Sequence, residues 1–203
     1  MLDDTRRWLE RAVIGLNLCP FAKAVQSKGQ IHYAVSHART AEALLVALAD
    51  QLNQLLACDS EVRNTTLLIV PNTFSDFLDF NDFLSDFLDF NDFLADADAL
   101  LTDMGLDGTL QIASFHPNFR FAGTTPDDIT NATNRAPYPT LHLLREDSVE
   151  RAVAAFPEAG QIFERNIETL KQLGADGWAA LGVGASTNGS SSVDAPTTPE
   201  TDK

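Results

Sequence analysis

Three residues of this 203-residue chain could together perform nucleophilic or metal chemistry: Cys19, His116 and His142. A cysteine becomes a nucleophile when a histidine takes its proton, so Cys19 is the candidate nucleophile and His116 or His142 its base. The same three side chains could ligate zinc, although no HxxxH or CxxC spacing supports a metal site. A buried, unreactive thiol is the competing interpretation, because the sequence neighbours of Cys19 are mostly apolar.

A second group of polar residues could bind an anion. Arginine side chains clamp a carboxylate or a phosphate with two parallel hydrogen bonds, and asparagine side chains can orient the bound molecule. We therefore predict a substrate-binding role for five residues: Asn72, Arg120, Asn134, Arg135 and Arg145. Surface salt bridges within an acidic chain are the alternative role for the three arginines.

Most of these residues lie in residues 114–146, which carry three arginines and three acids and are therefore locally neutral. Thr125-Pro126-Asp127-Asp128 is typical of a helix start, with threonine as cap and proline in the first turn. We favour this structural role over metal ligation for Asp127 and Asp128, because acids stabilise a helix amino terminus. Pro137 and Pro139 predict a stiff, extended stretch, and stiff loops hold side chains in place.

Composition and missing motifs exclude several classes of protein. The net charge of −15, from 29 acids against 14 basic residues, argues against nucleic acid or an anionic membrane as partner. The start of the chain carries acids and no apolar signal segment, and no stretch is apolar enough to span a bilayer. Two cysteines without CxxC spacing indicate a reduced, cytosolic protein. Walker, GxGxxG and GxSxG motifs are missing from the sequence, so their nucleotide-binding and hydrolase templates are not met.

Alternating helix and strand patterns predict an α/β protein with a small, mostly parallel four-stranded sheet and flanking helices. The predicted strands are residues 30–36, 66–70, 109–115 and 140–145. The predicted helices are residues 4–18, 41–56 with Thr40 as cap, 148–156 and 161–173, the last ended by Gly174. A long irregular loop, residues 116–139, precedes the last strand, and loops of this length tend to be functional. We predict one domain over residues 1–181 and a disordered tail over residues 182–203.

Polar residues follow the ends of three predicted strands. Ser36 and His37 follow the first strand, Asn72 the second and His116 the third. Ligands of open parallel sheets bind where the strands end, at their carboxyl edge. We therefore expect these residues to converge at one edge of the sheet and to form a pocket.

The decamer SDFLDFNDFL occurs twice in succession, at residues 75–84 and 85–94. Projected as one helix over residues 75–101, most Phe and Leu side chains form one arc, with Leu78 and Phe93 left on the acidic side. The spacing does not match a calcium-binding EF-hand loop. A core-facing helix lengthened by duplication is favoured over a Phe-rich surface that grips a partner.

Several motifs resemble a known family, the bacterial proteins grouped as domain of unknown function 1415. They are GLNLCPFA at 15–22, IVPN at 69–72, FHP at 115–117, FAGT at 121–124, PDD at 126–128, TNR at 133–135 and PYPTLHLLRE at 137–146. The resemblance covers roughly residues 3–175 and implies no particular reaction, because the family has none established. Its proteins look to have one such decamer, and here it is doubled.

Two functional hypotheses follow from the sequence. The first is a cytosolic enzyme that binds a small anionic substrate, with Cys19 or a metal beside His116 and His142 performing the chemistry. The second is a non-catalytic binding or interaction module that uses the acidic, Phe-rich helix. Convergence of the candidate residues in a cleft would favour the first hypothesis, and burial in apolar surroundings would argue against it.

Overall fold

Six α-helices and four β-strands are present in the part of the chain that the computed structural model describes, residues 1–73, 83–156 and 158–186. The strands are β1 (Ile31–Val35), β2 (Thr65–Ile69), β3 (Leu110–Phe115) and β4 (Thr140–Arg145). The helices are α1 (Leu2–Trp8), α2 (Ala22–Ser27), α3 (Ala41–Ala57), α4 (Phe83–Asp103), α5 (Glu146–Ala154) and α6 (Ile162–Ala180). A π-helix, Leu9–Ile14, follows α1, and two 3-10 helices span Ile129–Asn134 and Ala159–Gln161. No helix within these ranges is long and apolar enough to cross a membrane.

The four strands form one mixed sheet in the order β1-β2-β4-β3. The predicted α/β class is confirmed, but the expectation of a mostly parallel sheet is wrong in detail. β1 and β2 are parallel, whereas β4 runs antiparallel to both of its neighbours. The loop between β3 and β4 begins and ends at the same edge, because the His116 N–H donates to the Asn134 carbonyl and the Val70 N–H to the Pro139 carbonyl. A strand that starts where the preceding strand ended must run back in the opposite direction.

The two faces of the sheet are covered by different helices. Alternate residues of β2 and β4, such as Leu68 and Leu141, pack against α3 and α4 in the larger core. The opposite face, including Tyr33 and Phe115, packs against α1 and the π-helix through Trp8 and its neighbours. The helix α3 begins where predicted, since Thr40 Oγ1 accepts a hydrogen bond from the Ala43 N–H at 3.2 Å.

The amino-terminal segment differs from the single helix predicted over residues 4–18. The helix widens into the π-helix at Leu9 and ends before Asn17, whose φ of +55° is left-handed. Helix α2 was not predicted, because six residues are too few to show a helical period.

Helix α4 contains the second decamer, and its buried side differs from the predicted one. Residues 74–82, which hold most of the first copy, lie outside the described residues. Phe93, predicted to lie on the acidic side, is 2% exposed, whereas Leu88, predicted to face the core, is 57% exposed. Ten residues turn a helix by roughly 280°, so averaging the two copies displaced the predicted apolar arc.

The carboxyl-terminal helix α6 continues past its predicted end. Gly174, at a φ of +68°, kinks the helix, and the helix ends at Ala180. Residues 182–186 then lie against α1, where Arg7 Nε donates to the Gly182 carbonyl at 2.8 Å and Val183 is buried. The remaining residues of the predicted disordered tail, 187–203, lie outside the described residues.

Candidate binding site at the carboxyl edge of the sheet

The residues that follow β1 and β2 meet at one edge of the sheet, which we call the carboxyl edge because β1, β2 and β3 all end there. The Asn72 side-chain amide lies 3.3 Å from His37 Nδ1 and can donate a hydrogen bond to it. The donor and acceptor roles in this contact depend on the tautomer of the His37 ring, and His37 is exposed. Asn72 is therefore held by a neighbouring loop, with an exposed imidazole beside it.

His116 follows β3 at the same edge, but its side chain is buried. The residue is 2% exposed, and its ring lies 5.1 Å from the ring of Phe90 and 5.4 Å from that of Phe87. The Asn118 N–H donates to His116 Nδ1 at 3.1 Å. Burial lowers the pKa of His116 to about 4, so the ring is neutral at neutral pH. A neutral ring among phenylalanines has a structural role here.

The loop from His116 to Pro139 is ordered by its own polar side chains. Asn131 is fully buried; its Oδ1 accepts hydrogen bonds from the Phe121 N–H and the Thr124 hydroxyl, and its Nδ2 donates to the Thr125 carbonyl. Asp128 is the N-cap of the 3-10 helix Ile129–Asn134, and its side chain accepts a hydrogen bond from the Thr130 N–H. The cap is therefore Asp128 and not the predicted Thr125, three residues earlier.

Replacing Asn131 with alanine is expected to lower the free energy of unfolding by about 2–3 kcal/mol, because buried groups of the loop lose their partners. Urea unfolding would measure this loss. Asn53→Ala is the matched control, since Asn53 is exposed on α3 and should change stability by less than about 0.5 kcal/mol. Equal effects of the two variants would show that Asn131 does not organise the loop.

Two of the predicted arginines lie on this loop and have different surroundings. Arg135 is half-buried and donates from Nε to the Phe119 carbonyl at 3.2 Å and from Nη2 to the Pro126 carbonyl at 2.7 Å. Arg120 is exposed and makes no hydrogen bond or ion pair with the described residues. Arg135 therefore holds the loop together, and Arg120 is the guanidinium that can meet a ligand. Asn134 anchors the loop through its backbone carbonyl, which accepts from the His116 N–H at 3.2 Å.

Cys19 and His142 lie on the other face of the sheet. Cys19 packs against the cluster around Trp8, and burial raises the pKa of its thiol, although hydrogen bonds from the backbones of Phe21 and Ala22 oppose the rise. His142 lies in the middle of β4 with its ring 6.0 Å from that of Phe115, and burial lowers its pKa to about 4. Neither environment favours a thiolate or an imidazolium.

The zinc alternative finds no support in the described ranges, which contain no group of three or more His, Cys, Asp or Glu residues that could hold a metal ion. Cys19, His116 and His142 are all described: His116 packs against Phe90 of α4, whereas Cys19 and His142 lie on the other face of the sheet.

Arg145 lies at the opposite edge of the sheet, because β4 runs away from the carboxyl edge. Its Nη2 donates to the carbonyls of Leu55 and Cys58 at 2.5 and 2.6 Å. These carbonyls belong to the last turn of α3 and the residue after it, where helices leave acceptors unpaired. A small cavity of about 160 Å³ lies at that edge too, with its charged side chains Lys28 and Arg151 already paired to acids.

The structure thus brings some of the predicted residues together and separates others. Asn72, Arg120, Asn134, Arg135 and the backbone of His116 lie at the carboxyl edge or on its loop. Cys19 and His142 lie across the sheet, and Arg145 is at the far edge.

Sequence reasoning missed a buried carboxylate next to this loop, Asp4 of α1. Asp4 is 4% exposed, and its carboxylate accepts hydrogen bonds from Arg7, from the Tyr138 hydroxyl at 2.8 Å, and from the hydroxyl and the N–H of Ser186. Burial alone would raise the pKa of Asp4, but these hydrogen bonds hold it well below its usual range. Burial and the hydrogen bond to Asp4 raise the pKa of Tyr138 to about 12. An acid in a first turn looks like ordinary helix capping in sequence, so no local signal marked it.

The chain is an α/β protein with a four-stranded mixed sheet and a long loop that is held by hydrogen bonds within itself. The chain matches the family described as Protein of unknown function (DUF1415) over residues 1–180, and it belongs to that family. The resemblance inferred from the motifs is therefore confirmed. No curated protein and no solved structure matches the chain significantly.

Proposed function

We propose that this chain binds a small anionic molecule at the carboxyl edge, on the surface of the loop from His116 to Pro139, with Arg120 as the main partner of the anion. The observation that carries the proposal is the contrast between the two arginines of the loop. Arg135 is held by two backbone carbonyls, while Arg120 is exposed and has no acid beside it among the described residues. A free guanidinium on a preorganised loop is suited to bidentate recognition of a carboxylate or phosphate.

Aromatic rings next to Arg120 in sequence support this location. The ring of Phe119 lies 4.9 Å from that of Phe121, which lies 5.8 Å from Phe163 of α6. Phe163 is 54% exposed, so the row of rings ends at solvent. An anion with an apolar part would find both partners on this surface.

Because the whole chain is acidic, an anion can be attracted only by donor groups close to its binding site. A net charge of −15 repels anions at long range, so attraction must come from a few nearby donors. Residues 114–146, which include Arg120 and Arg135, have no net charge.

Catalysis by Cys19, His116 or His142 stays a prediction, and their surroundings do not support it. All three contact apolar side chains, and the perturbed pKa values favour the neutral forms. The interaction-module alternative is weakened as well, since Phe90 and Phe93 are buried and leave mainly aspartates and Leu88 on the outer side of α4. We infer a cytosolic location as part of the same proposal, which the unpaired thiols of Cys19 and Cys58 support.

Arg120→Ala is expected to abolish anion binding without changing the fold. Thermal unfolding would be measured with inorganic phosphate, succinate and benzoate as probes, against sodium chloride at matched ionic strength. A probe that binds should raise Tm by about 5–10 °C at roughly 100 times its Kd, and the Arg120→Ala variant should lose this shift.

Arg151→Ala is the control, because Arg151 is also exposed but lies on α5 and pairs with Asp147 at 2.7 Å. The control should retain the full shift. If no probe changes Tm, or if Arg120→Ala responds like the unmodified chain, the proposed binding function is wrong.

A further inference from the structure

The second decamer occupies an apolar groove, which we call the decamer groove. One wall is α3, whose Leu44 and Leu48 are fully buried against α4, and the floor is the sheet with Val70 and Leu141. The third side is the ring of His116, with Phe119 beside it. Three side chains of the decamer enter the groove region: Phe87, Phe90 and Phe93.

The segment that fills this groove occurs twice in the sequence. Residues 75–84 and 85–94 have the same ten amino acids in the same order. Every contact that the second copy makes with its own ten side chains is therefore chemically available to the first copy. Because ten residues turn a helix by roughly 280°, one continuous helix cannot place both copies in the groove at once.

We propose that the decamer groove accepts either copy, so that the chain has two registers of α4 that differ by ten residues. The partner that fits the groove is an acidic, Phe-rich amphipathic segment of this sequence. In the structure the second copy occupies the groove because it continues without a break into residues 95–103, where Ala97 and Leu101 are also buried.

The second register is higher in free energy, since residues 85–94 would have to form a loop before Ala95. Closing a ten-residue loop has a modest cost that grows slowly with length. The three side chains that enter the groove, Phe87, Phe90 and Phe93, have identical counterparts ten residues earlier, Phe77, Phe80 and Phe83. The first copy can therefore fill the groove when a substitution weakens the packing of the second copy.

Phe90→Ala tests the proposal in two chains. Deleting residues 75–84 or residues 85–94 yields the same single-copy chain. This chain has only one segment that can fill the groove, and it is compared with the full chain. In the single-copy chain, Phe90→Ala should lower Tm by roughly 6–20 °C, as expected for a buried Phe in a domain of this size. In the full chain, the first copy should limit the loss to less than half of that value.

Leu48→Ala is the matched control, because Leu48 belongs to α3 and no second copy of it exists in the decamer. It should lower Tm equally in the two chains. Equal losses for Phe90→Ala in both chains would overturn the proposal.

A second measurement uses the full chain alone and remains decisive if the single-copy chain does not fold. Phe80→Ala by itself should leave Tm nearly unchanged, Phe90→Ala should have a limited effect, and the double variant should lose more than the sum of the two. Additive losses would show that the first copy never enters the groove.

Discussion

Replacing Asp4 with alanine is expected to lower the free energy of unfolding by about 3–5 kcal/mol, more than the loss expected for Asn131→Ala. The variant removes the shared acceptor of Arg7, Tyr138 and Ser186. The half-buried Tyr138 hydroxyl would then lack a partner, and the Arg7 guanidinium would keep only the Gly182 carbonyl and the Ser186 hydroxyl. An unpaired buried donor costs more than its hydrogen bond contributes. The loss should also free residues 182–186 from α1.

Urea unfolding at neutral pH would measure the change. Asp3→Ala is the matched control one residue away, because the Asp3 side chain is almost fully exposed and its ion pair with Arg6 spans 3.6 Å. Exposed pairs contribute at most about 1 kcal/mol. If Asp4→Ala costs no more than Asp3→Ala, the carboxylate does not hold α1, the loop and the tail together.

Acidification from pH 7 to pH 4 is expected to remove about 3 kcal/mol of stability through His116 alone. Its pKa is about 4 in the folded chain and about 6.5 when unfolded. Between these values the unfolded state binds the proton and the folded state does not, so the free energy of unfolding rises with pH. The contribution is complete above pH 6.5 and is lost as the pH falls toward 4. His142, with the same folded pKa of about 4, should act in the same direction.

The His116→Phe variant separates this effect from that of the carboxylates. A phenylalanine ring suits the contacts with Phe87 and Phe90 but cannot take up a proton. Urea unfolding at several pH values should therefore show a loss about 3 kcal/mol smaller than in the unmodified chain. Asn53→Ala, at an exposed residue without an ionisable group, should keep the original pH dependence. An unchanged pH dependence in His116→Phe would mean that His116 takes up its proton equally well in the folded chain.

Local patterns predicted most of the secondary structure. The alternation through β1, the apolar run of β2 and the Thr40 cap of α3 all depend on neighbours within a few residues, and each was confirmed. Of the polar residues at the strand ends, His37 and Asn72 are in contact, whereas the His116 side chain is buried against Phe87 and Phe90.

The buried side of a helix and the direction of a strand were predicted less well than the positions of the elements along the chain. The buried side of α4 is decided by the second copy together with residues 95–101, and averaging over two copies with different phases assigned Phe93 and Leu88 to the wrong sides. The direction of β4 depends on the path of a loop that local patterns left irregular.

The sequence by itself determined the four strands, most of the helices, the neutral segment around Arg120 and the family, because these depend on residue types and short spacings. Only the tertiary structure decided which polar groups are buried. Asp4 meets Tyr138 across 134 positions and Ser186 across 182, and His116 is desolvated by a helix that precedes it in the chain. Desolvation and hydrogen-bond partners are properties of packing, so they set the pKa values and roles of these side chains only once the chain has folded.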